Sequence, residues 1–293
     1  MAVITISDSC KKCRVCVELC PNLIMKVNEQ GQVVPQAERQ HLCIECGQCM
    51  AACASKSITA GSLSYEKDFF EASRPENAAA VFDDLIHTRR SVRNFKDKAV
   101  EQEVLGKIVQ AISFAPPAFP PIKYSLMVIN DRELLKKSLP LYISMYEGMM
   151  KMMKNPIPRF FIRRATGTPR YKVIRNHLMP IIEADMPLLK NGSEDTLMRH
   201  APAMILFLQE KNSEDIQADV YIAATVGTLA AHAYGLGSTI VDVIAPAIQR
   251  SPGLRSLYNI PDDKDVVAAL IVGYPKYKYH RAVKRKIPSV LWK

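Results

Sequence analysis

Eight cysteines stand in two short runs, Cys10-x2-Cys13-x2-Cys16-x3-Cys20 followed by Pro21, and Cys43-x2-Cys46-x2-Cys49-x3-Cys53 followed by Ala54, and the chain has no others. A zinc ribbon needs only paired Cys-x2-Cys units and leaves the third and fourth cysteine of each run unused. A disulfide framework fits poorly as well. The first residues, MAVITISDSC, have neither the basic start nor the apolar run of a secretory signal, and thiols this dense then imply a reducing compartment. Three closely spaced thiols with a fourth three residues on is the spacing of [4Fe–4S] ligation. The chain is therefore expected to carry electrons.

Over about its first sixty residues the sequence resembles the bacterial two-cluster ferredoxins, with Ala54 where a second proline commonly stands. In that family the fourth cysteine of each run crosses to the other cluster. The resemblance thus implies one [4Fe–4S] cluster on Cys10, Cys13, Cys16 and Cys53, and another on Cys43, Cys46, Cys49 and Cys20. Such a module accounts for a fifth of the 293 residues, so a second domain is required. The formal charge of +10 would be offset by about −4 from two cubes with their thiolates. With no interleaved aromatic and basic pattern, nucleic acid is not an expected partner. No apolar run is long enough to cross a bilayer, and the chain is expected to be soluble, cytoplasmic and free of membrane.

The expected fold class is α+β, with a ferredoxin domain over residues 1–62, a linker over 63–77 and a mixed α/β domain over 78–293. Residues Val3 to Ser7 alternate like a strand, Leu23 to Pro35 reads as a hairpin turning at Glu29-Gln30-Gly31, and Lys56 to Ser62 supplies a closing strand. Beyond the linker, helices are expected over Ala78–Arg89, Glu101–Phe114 and Asp219–Tyr234. A short strand is read at Tyr124–Ile129, and continuous apolar runs at Ala201–Leu208 and Val266–Gly273 predict central strands covered on both faces. The helix at Asp219–Tyr234 carries Ala223, Gly227 and Ala231 four apart, a stripe that admits close approach of another backbone. Residues 131–200 form an insert with a Met-rich helical stretch at Met145–Met153, read as core or as an adaptable lid over a substrate. Pro156, Pro158 and Pro169 are read as breakers within it.

Arg89-Arg90-Ser91-Val92-Arg93-Asn94-Phe95 follows the first of these helices, and guanidinium groups around a hydroxyl suit a phosphate monoester. The run RRSVRNF, the later Ala115-Pro116-Pro117, Tyr234-Gly235-Leu236-Gly237-Ser238, Gly273-Tyr274-Pro275 and the basic tail Arg281–Trp292 occur in the order of the corresponding nitroreductase-family motifs. Residues 78–293 resemble that family. The resemblance implies FMN, with Arg89, Arg90, Ser91 and Arg93 at its phosphate and ribityl end, Arg281 or Arg285 returning from the tail, Pro117 and Ala118 in the covering loop, and Val241 and Asp242 near the ring. It also implies a homodimer. The sequence departs from the family at Phe119-Pro120-Pro121-Ile122-Lys123, where an Asn and a Gln are usual, and at Ile240-Val241-Asp242-Val243, where glycines are often found.

Gly235-Leu236-Gly237 does not open a dinucleotide fingerprint, because Ile240 occupies the third glycine position and a helix precedes it; a glycine-closed helix end is the simpler reading. His41, His87, His177, His200, His232 and His280 show no metal-ligand spacing. The function implied is an oxidoreductase that passes electrons from two [4Fe–4S] clusters to FMN, for two-electron reduction of a small acceptor such as a nitroaromatic, a quinone or an activated alkene. An acidic ferredoxin or flavodoxin is the expected donor. The alternatives are specialised flavin chemistry such as reductive dehalogenation, and a non-catalytic redox sensor or electron relay.

Overall fold

The computed structural model describes residues 3–117, 124–211 and 217–293. The chain divides into two compact units, Met1–Ala78 and Ala79–Lys293.

The first unit is built on two small antiparallel ribbons. Strand β1 (Ile4–Ile6) pairs with β4 (Ile58–Ala60), Ile4 opposite Ala60. Strand β2 (Met25–Val27) pairs with β3 (Val33–Pro35), and the turn between them uses Gly31 at φ 71°, a conformation that costs glycine little. Helices α1 (Val15–Leu19) and α2 (Gln48–Ala51) follow the first cysteines of each run. The core is thin: Ile4, Ile24, Met25, Val33, Met50, Ile58 and Ala60 are buried together with Cys16, and Cys10, Cys20, Cys43, Cys49 and Cys53 pack against them, while Cys13 and Cys46 are exposed. The expected linker is partly structured. Residues Tyr65–Asp68 form helix α3, with the Tyr65 and Phe69 rings 5.4 Å apart and both packed on this core.

The second unit is three-layered. Its sheet has the order β5-β6-β8-β7, with every neighbour antiparallel; the strands are β5 (Tyr124–Ile129), β6 (Ala203–Glu210), β7 (Gly237–Ile240) and β8 (Lys264–Gly273). Period-two alternation explains the layers, apart from a β-bulge at Val267, where Phe207 pairs with Ala268 and Leu208 with Val266 and the faces of β8 exchange. Ala203, Ile205 and Phe207 of β6, with Ala268, Leu270 and Val272 of β8, meet helices α5 (Gln102–Ile112) and α10 (Gln217–Ala233). Met204, Leu206 and Leu208, with Val266, Ala269 and Ile271, face the opposite way, into a core with α6 (Arg132–Lys154), α9 (Met179–Lys190), α11 (Ile244–Arg250) and α12 (Pro252–Leu257). Because both faces are covered, the two central strands read as unbroken apolar runs.

Helix α4 (Ala78–Thr88) opens this part of the chain with no buried residue. In the insert, Pro156 and Pro169 open helices α7 (Pro156–Thr166) and α8 (Thr168–Val173) in their first turns, where the missing N–H has no intrahelical partner to lose. The prolines read as breakers do separate α6, α7 and α8, each break falling at the first turn of the following helix. Met145, Met149 and Met150 pack against the cores and Met153 is buried, whereas Met152 is exposed, so most of the stretch serves as core. The Ala223-Gly227-Ala231 stripe also turns inward. A Cβ at Gly227 would lie 3.0 Å from Ile112 and 3.2 Å from Leu270, so the stripe lets α10 seat on α5 and β8 of its own chain. Among the described residues no helix is long and apolar enough to cross a membrane.

Candidate functional sites

Two hollows in the first unit gather the cysteines. One is lined by Cys20 of the first run and Cys43, Cys46 and Cys49 of the second. The other is lined by Cys10, Cys13 and Cys16 of the first run and Cys53 of the second, with Cys49 also at its wall. The electrostatics group them the same way. Burial pushes up the Cys16 thiol, and the neighbouring Cys10, Cys13 and Cys53 add to the shift. Burial raises Cys43, with Cys46, Glu45 and Cys20 adding to it, and Cys49 rises to about 11 through burial and then Cys46, Cys20 and Cys43.

Among the described residues no three His, Cys, Asp or Glu side chains converge on a single metal ion. A cube makes a different demand, because its four thiolates bind four separate irons and stand apart around an open volume. The surroundings suit thiolates. Backbone amides of Lys12, Ile24 and Ser57 donate to the sulfurs of Cys10 (3.4 Å), Cys20 (3.4 Å) and Cys53 (3.3 Å). At Cys53 burial raises the thiol, but hydrogen bonds from Ser57 and Ser55 outweigh it and the net shift is downward. The Tyr65 hydroxyl is buried without a conventional hydrogen-bond partner, and is pushed up to about 12 by burial and by Cys53 beside it. A thiolate at Cys53 would give that orphaned donor an acceptor.

In the second unit, helix α4 delivers Arg89 and Arg90 to the end of α10. The Arg89 guanidinium is lowered by partial burial, then by the charges of Arg285 and Arg90. His232, near the end of α10, is lowered by burial and by the same Arg89 and Arg90; its Nε2 lies 2.7 Å from Thr88 Oγ1. Arg90 donates to its neighbour's carbonyl at Arg89 (2.7 Å) and to that of Arg281 (3.1 Å). The tail thus contributes a side chain from Arg285 and a carbonyl from Arg281. Crowded cations of this kind form a receptor for a dianion.

The segment after the arginines is pinned on both sides. Ser91 bridges Ser238 in parallel fashion, and Val92 N–H donates to the Ser238 carbonyl at 3.0 Å. Phe95 bridges Pro275, while Lys96 N–H donates to Tyr274 and Lys276 N–H to Asn94. Gly237 makes the first contact feasible: a Cβ there would sit 2.6 Å from Val92. Gly237→Val should therefore cost roughly 1–3 kcal/mol as overpacking and lower the melting temperature of the second unit, as read by calorimetry. An unchanged melting temperature would mean that this seam is not tightly packed.

The remaining expected residues are dispersed. Arg93 is exposed and donates to the Ser91 carbonyl at 3.3 Å. Pro117 is exposed beyond α5, and Ala118 lies outside the described residues. Val241 follows β7, with its N–H on the Ala269 carbonyl, and Asp242 is exposed with its charge acting on Tyr221. Ser238 pairs with Ser91 inside β7, whereas Asp242 lies in the turn beyond its end. Thr88 and His232 at the arginine cluster escaped sequence reasoning; their signal would be two polar side chains ending α4 and α10 beside the arginine run.

Residues 86–274 match the nitroreductase family model. The chain belongs to the nitroreductase family. A protein of Methanothermobacter thermautotrophicus named "Putative NADH dehydrogenase/NAD(P)H nitroreductase" is 25% identical over 196 residues, 66% of this chain and 76% of that one. Its namesake from Archaeoglobus fulgidus is 26% identical over 192 residues, 66% of this chain and 84% of that one. A nitroreductase of Desulfitobacterium hafniense solved with bound FMN aligns at TM-score 0.51 and 17% identity, covering 71% of this chain and 96% of its own. The nitroreductase match begins after the cysteine-rich unit, and the α/β fold of the second unit is the one these proteins share.

Proposed function

We propose that this nitroreductase carries two [4Fe–4S] clusters in its first unit and FMN in its second, and passes single electrons from the clusters to the flavin for two-electron reduction of a small acceptor. The observation that carries this reading is the crossing of the cysteines: Cys20 of the first run joins Cys43, Cys46 and Cys49 in one hollow, and Cys53 of the second joins Cys10, Cys13 and Cys16 in the other, with Cys49 on the wall of both. When bound, the clusters would supply one-electron transfer, and FMN would gather two electrons and deliver them as a hydride. The chain's own part is to hold and orient these groups. The sulfurs of each set grip the irons, and the amides of Lys12, Ile24 and Ser57 offset their charge. Arg89, Arg90 and Arg285 bind the phosphate, and Ser91 is held beside them by its bridge to Ser238.

The tail supports a homodimer: Ile287, Leu291 and Trp292 are 77%, 83% and 91% exposed in the single chain, a large apolar area to leave in water. Phe82 and Ile86 of α4 are exposed as well. A second copy of the chain is the proposed cover.

The formal charge of +10, still about +6 after the −4 of two clusters with their thiolates, favours an acidic one-electron carrier, a ferredoxin or flavodoxin, as donor. Mixing the anaerobic holoprotein with a reduced acidic ferredoxin should bleach the cluster absorbance first and the flavin second, at a rate that falls steeply as salt rises through physiological strength. Flavin reduction by NADH or NADPH that is faster than by the carrier, with the cluster absorbance unchanged, would reverse the proposed direction of entry.

A further inference from the structure

The two cysteine runs are an internal repeat offset by 33 residues, Cys10 corresponding to Cys43 and Cys20 to Cys53. Their backbones correspond too. Lys12 and Glu45 have φ of 56° and 50°, Arg14 and Gly47 of 66° and 74°, and Leu23 and Lys56 of 51° and 50°. Equivalent amides reach equivalent sulfurs, Ile24 to Cys20 at 3.4 Å and Ser57 to Cys53 at 3.3 Å. Main-chain donors therefore treat the two sets nearly alike, and any difference between them rests on side chains.

The side chains differ sharply. Between its first three cysteines, the first run carries Lys11, Lys12 and Arg14; the equivalent positions of the second run hold Ile44, Glu45 and Gly47. Lys11 and Arg14 line the hollow of Cys10, Cys13, Cys16 and Cys53, whereas Glu45 lines that of Cys20, Cys43, Cys46 and Cys49. The Glu45 carboxylate is fixed there by the Ser62 amide (3.0 Å) and hydroxyl (2.7 Å). A second asymmetry acts in the same direction. The Ser55 hydroxyl lies 3.7 Å from the Cys53 sulfur, while its equivalent, Asn22, turns its amide away to the Leu42 carbonyl at 2.7 Å.

We propose that these side chains make the two cluster sites unequal electron stores, so that the first electron resides at the Cys10, Cys13, Cys16 and Cys53 site and the second at the site beside Glu45. The proposal rests on the reading that both sets hold [4Fe–4S] clusters. Reduction adds one negative charge to a cluster. Cations and hydrogen bonds to sulfur favour that charge and a nearby carboxylate opposes it. An electron moving from the Glu45 site to the other oxidises the first cluster by one electron and reduces the second by one, with no proton or bond exchanged.

The test is a potentiometric titration of the full-length holoprotein, followed by low-temperature electron paramagnetic resonance. Two one-electron steps are expected, with the first electron favouring its site by more than tenfold, or 59 mV for one electron. Mutual repulsion between two reduced clusters would split the steps even at identical sites, so the variants decide. Glu45→Gln should move only the second step, towards easier reduction, and Lys12→Gln only the first, towards harder reduction. Exchanging the two charges, Lys12→Glu with Glu45→Lys, should narrow or invert the gap, each residue entering a backbone conformation its equivalent already adopts. Lys11→Gln, on an exposed side chain, repeats the test if a Lys12 or Glu45 variant fails to assemble. A single unsplit step, or variants that shift both steps alike, would overturn the inequality while leaving the clusters in place. Absence of iron and sulfide, with no paramagnetic signal on reduction, would instead overturn the cluster reading beneath it.

Discussion

Isolated without oxygen, the chain should contain about eight iron and eight acid-labile sulfide, and replacing Cys16 by Ala should remove about half of each. The loss should go beyond the metal. The first unit has only a handful of buried apolar side chains around two short ribbons, too little to stabilise a unit of this size without a staple. Its cysteines line two hollows. Burial pushes the Cys16, Cys43 and Cys49 thiols further up, which adds to the cost of the protons that metal displaces from cysteine on binding. Chelating the iron should therefore abolish the cooperative unfolding of residues 1–78 in calorimetry while the transition of the second unit survives. Zinc as the principal metal, or a first unit that melts cooperatively without iron, would remove the cluster assignment.

Arg89→Ala should weaken FMN binding by about 1.5–3 kcal/mol, the value of a charge-assisted hydrogen bond, which is roughly 10- to 150-fold in Kd. The same substitution should leave the flavin-free protein no less stable, because Arg89 is crowded by Arg285 and Arg90 and removing it relieves like-charge repulsion. That opposite response separates a binding group from a structural one. Arg285→Ala should act similarly on affinity, whereas Arg90→Ala should also loosen the tail, since Arg90 ties the Arg281 carbonyl to the end of α4. Fluorescence titration with FMN reads the affinity, and calorimetry without FMN reads the stability. Equal FMN affinity in the wild type and in both the Arg89 and Arg285 variants would move the phosphate elsewhere.

Several elements were legible because their cause is local. The strand at Tyr124–Ile129, the hairpin around Gly31 and the end of α10 follow from alternation and glycine placement; Gly235 takes φ 78°, and Leu236 N–H closes the turn on the Ala231 carbonyl. The central strands were visible as apolar runs. Strand β7 was not, because four residues beginning with glycine carry no pattern; its place comes from pairing with β8 and from the close approach of Val92. The prolines at the helix boundaries of the insert were legible because a fixed φ and a missing N–H end one helix and suit the first turn of the next, whereas Pro140 and Pro187 lie inside α6 and α9, where tertiary packing holds the helix.

By itself, the sequence determined the chemistry written in short spacings: eight thiols in two runs, an arginine pair with Ser91 at a helix end, and apolar runs long enough for two central strands. These depend on neighbours a few residues away, whose separation the covalent chain dictates. Only the tertiary structure decided that the small-residue stripe of α10 seats inside its own chain, that Met145, Met149, Met150 and Met153 of α6 pack inward while Met152 does not, and that Arg285 brings its charge to Arg89. Each depends on groups distant in sequence being brought together by packing both faces of one sheet, and no local pattern encodes which distant partner arrives.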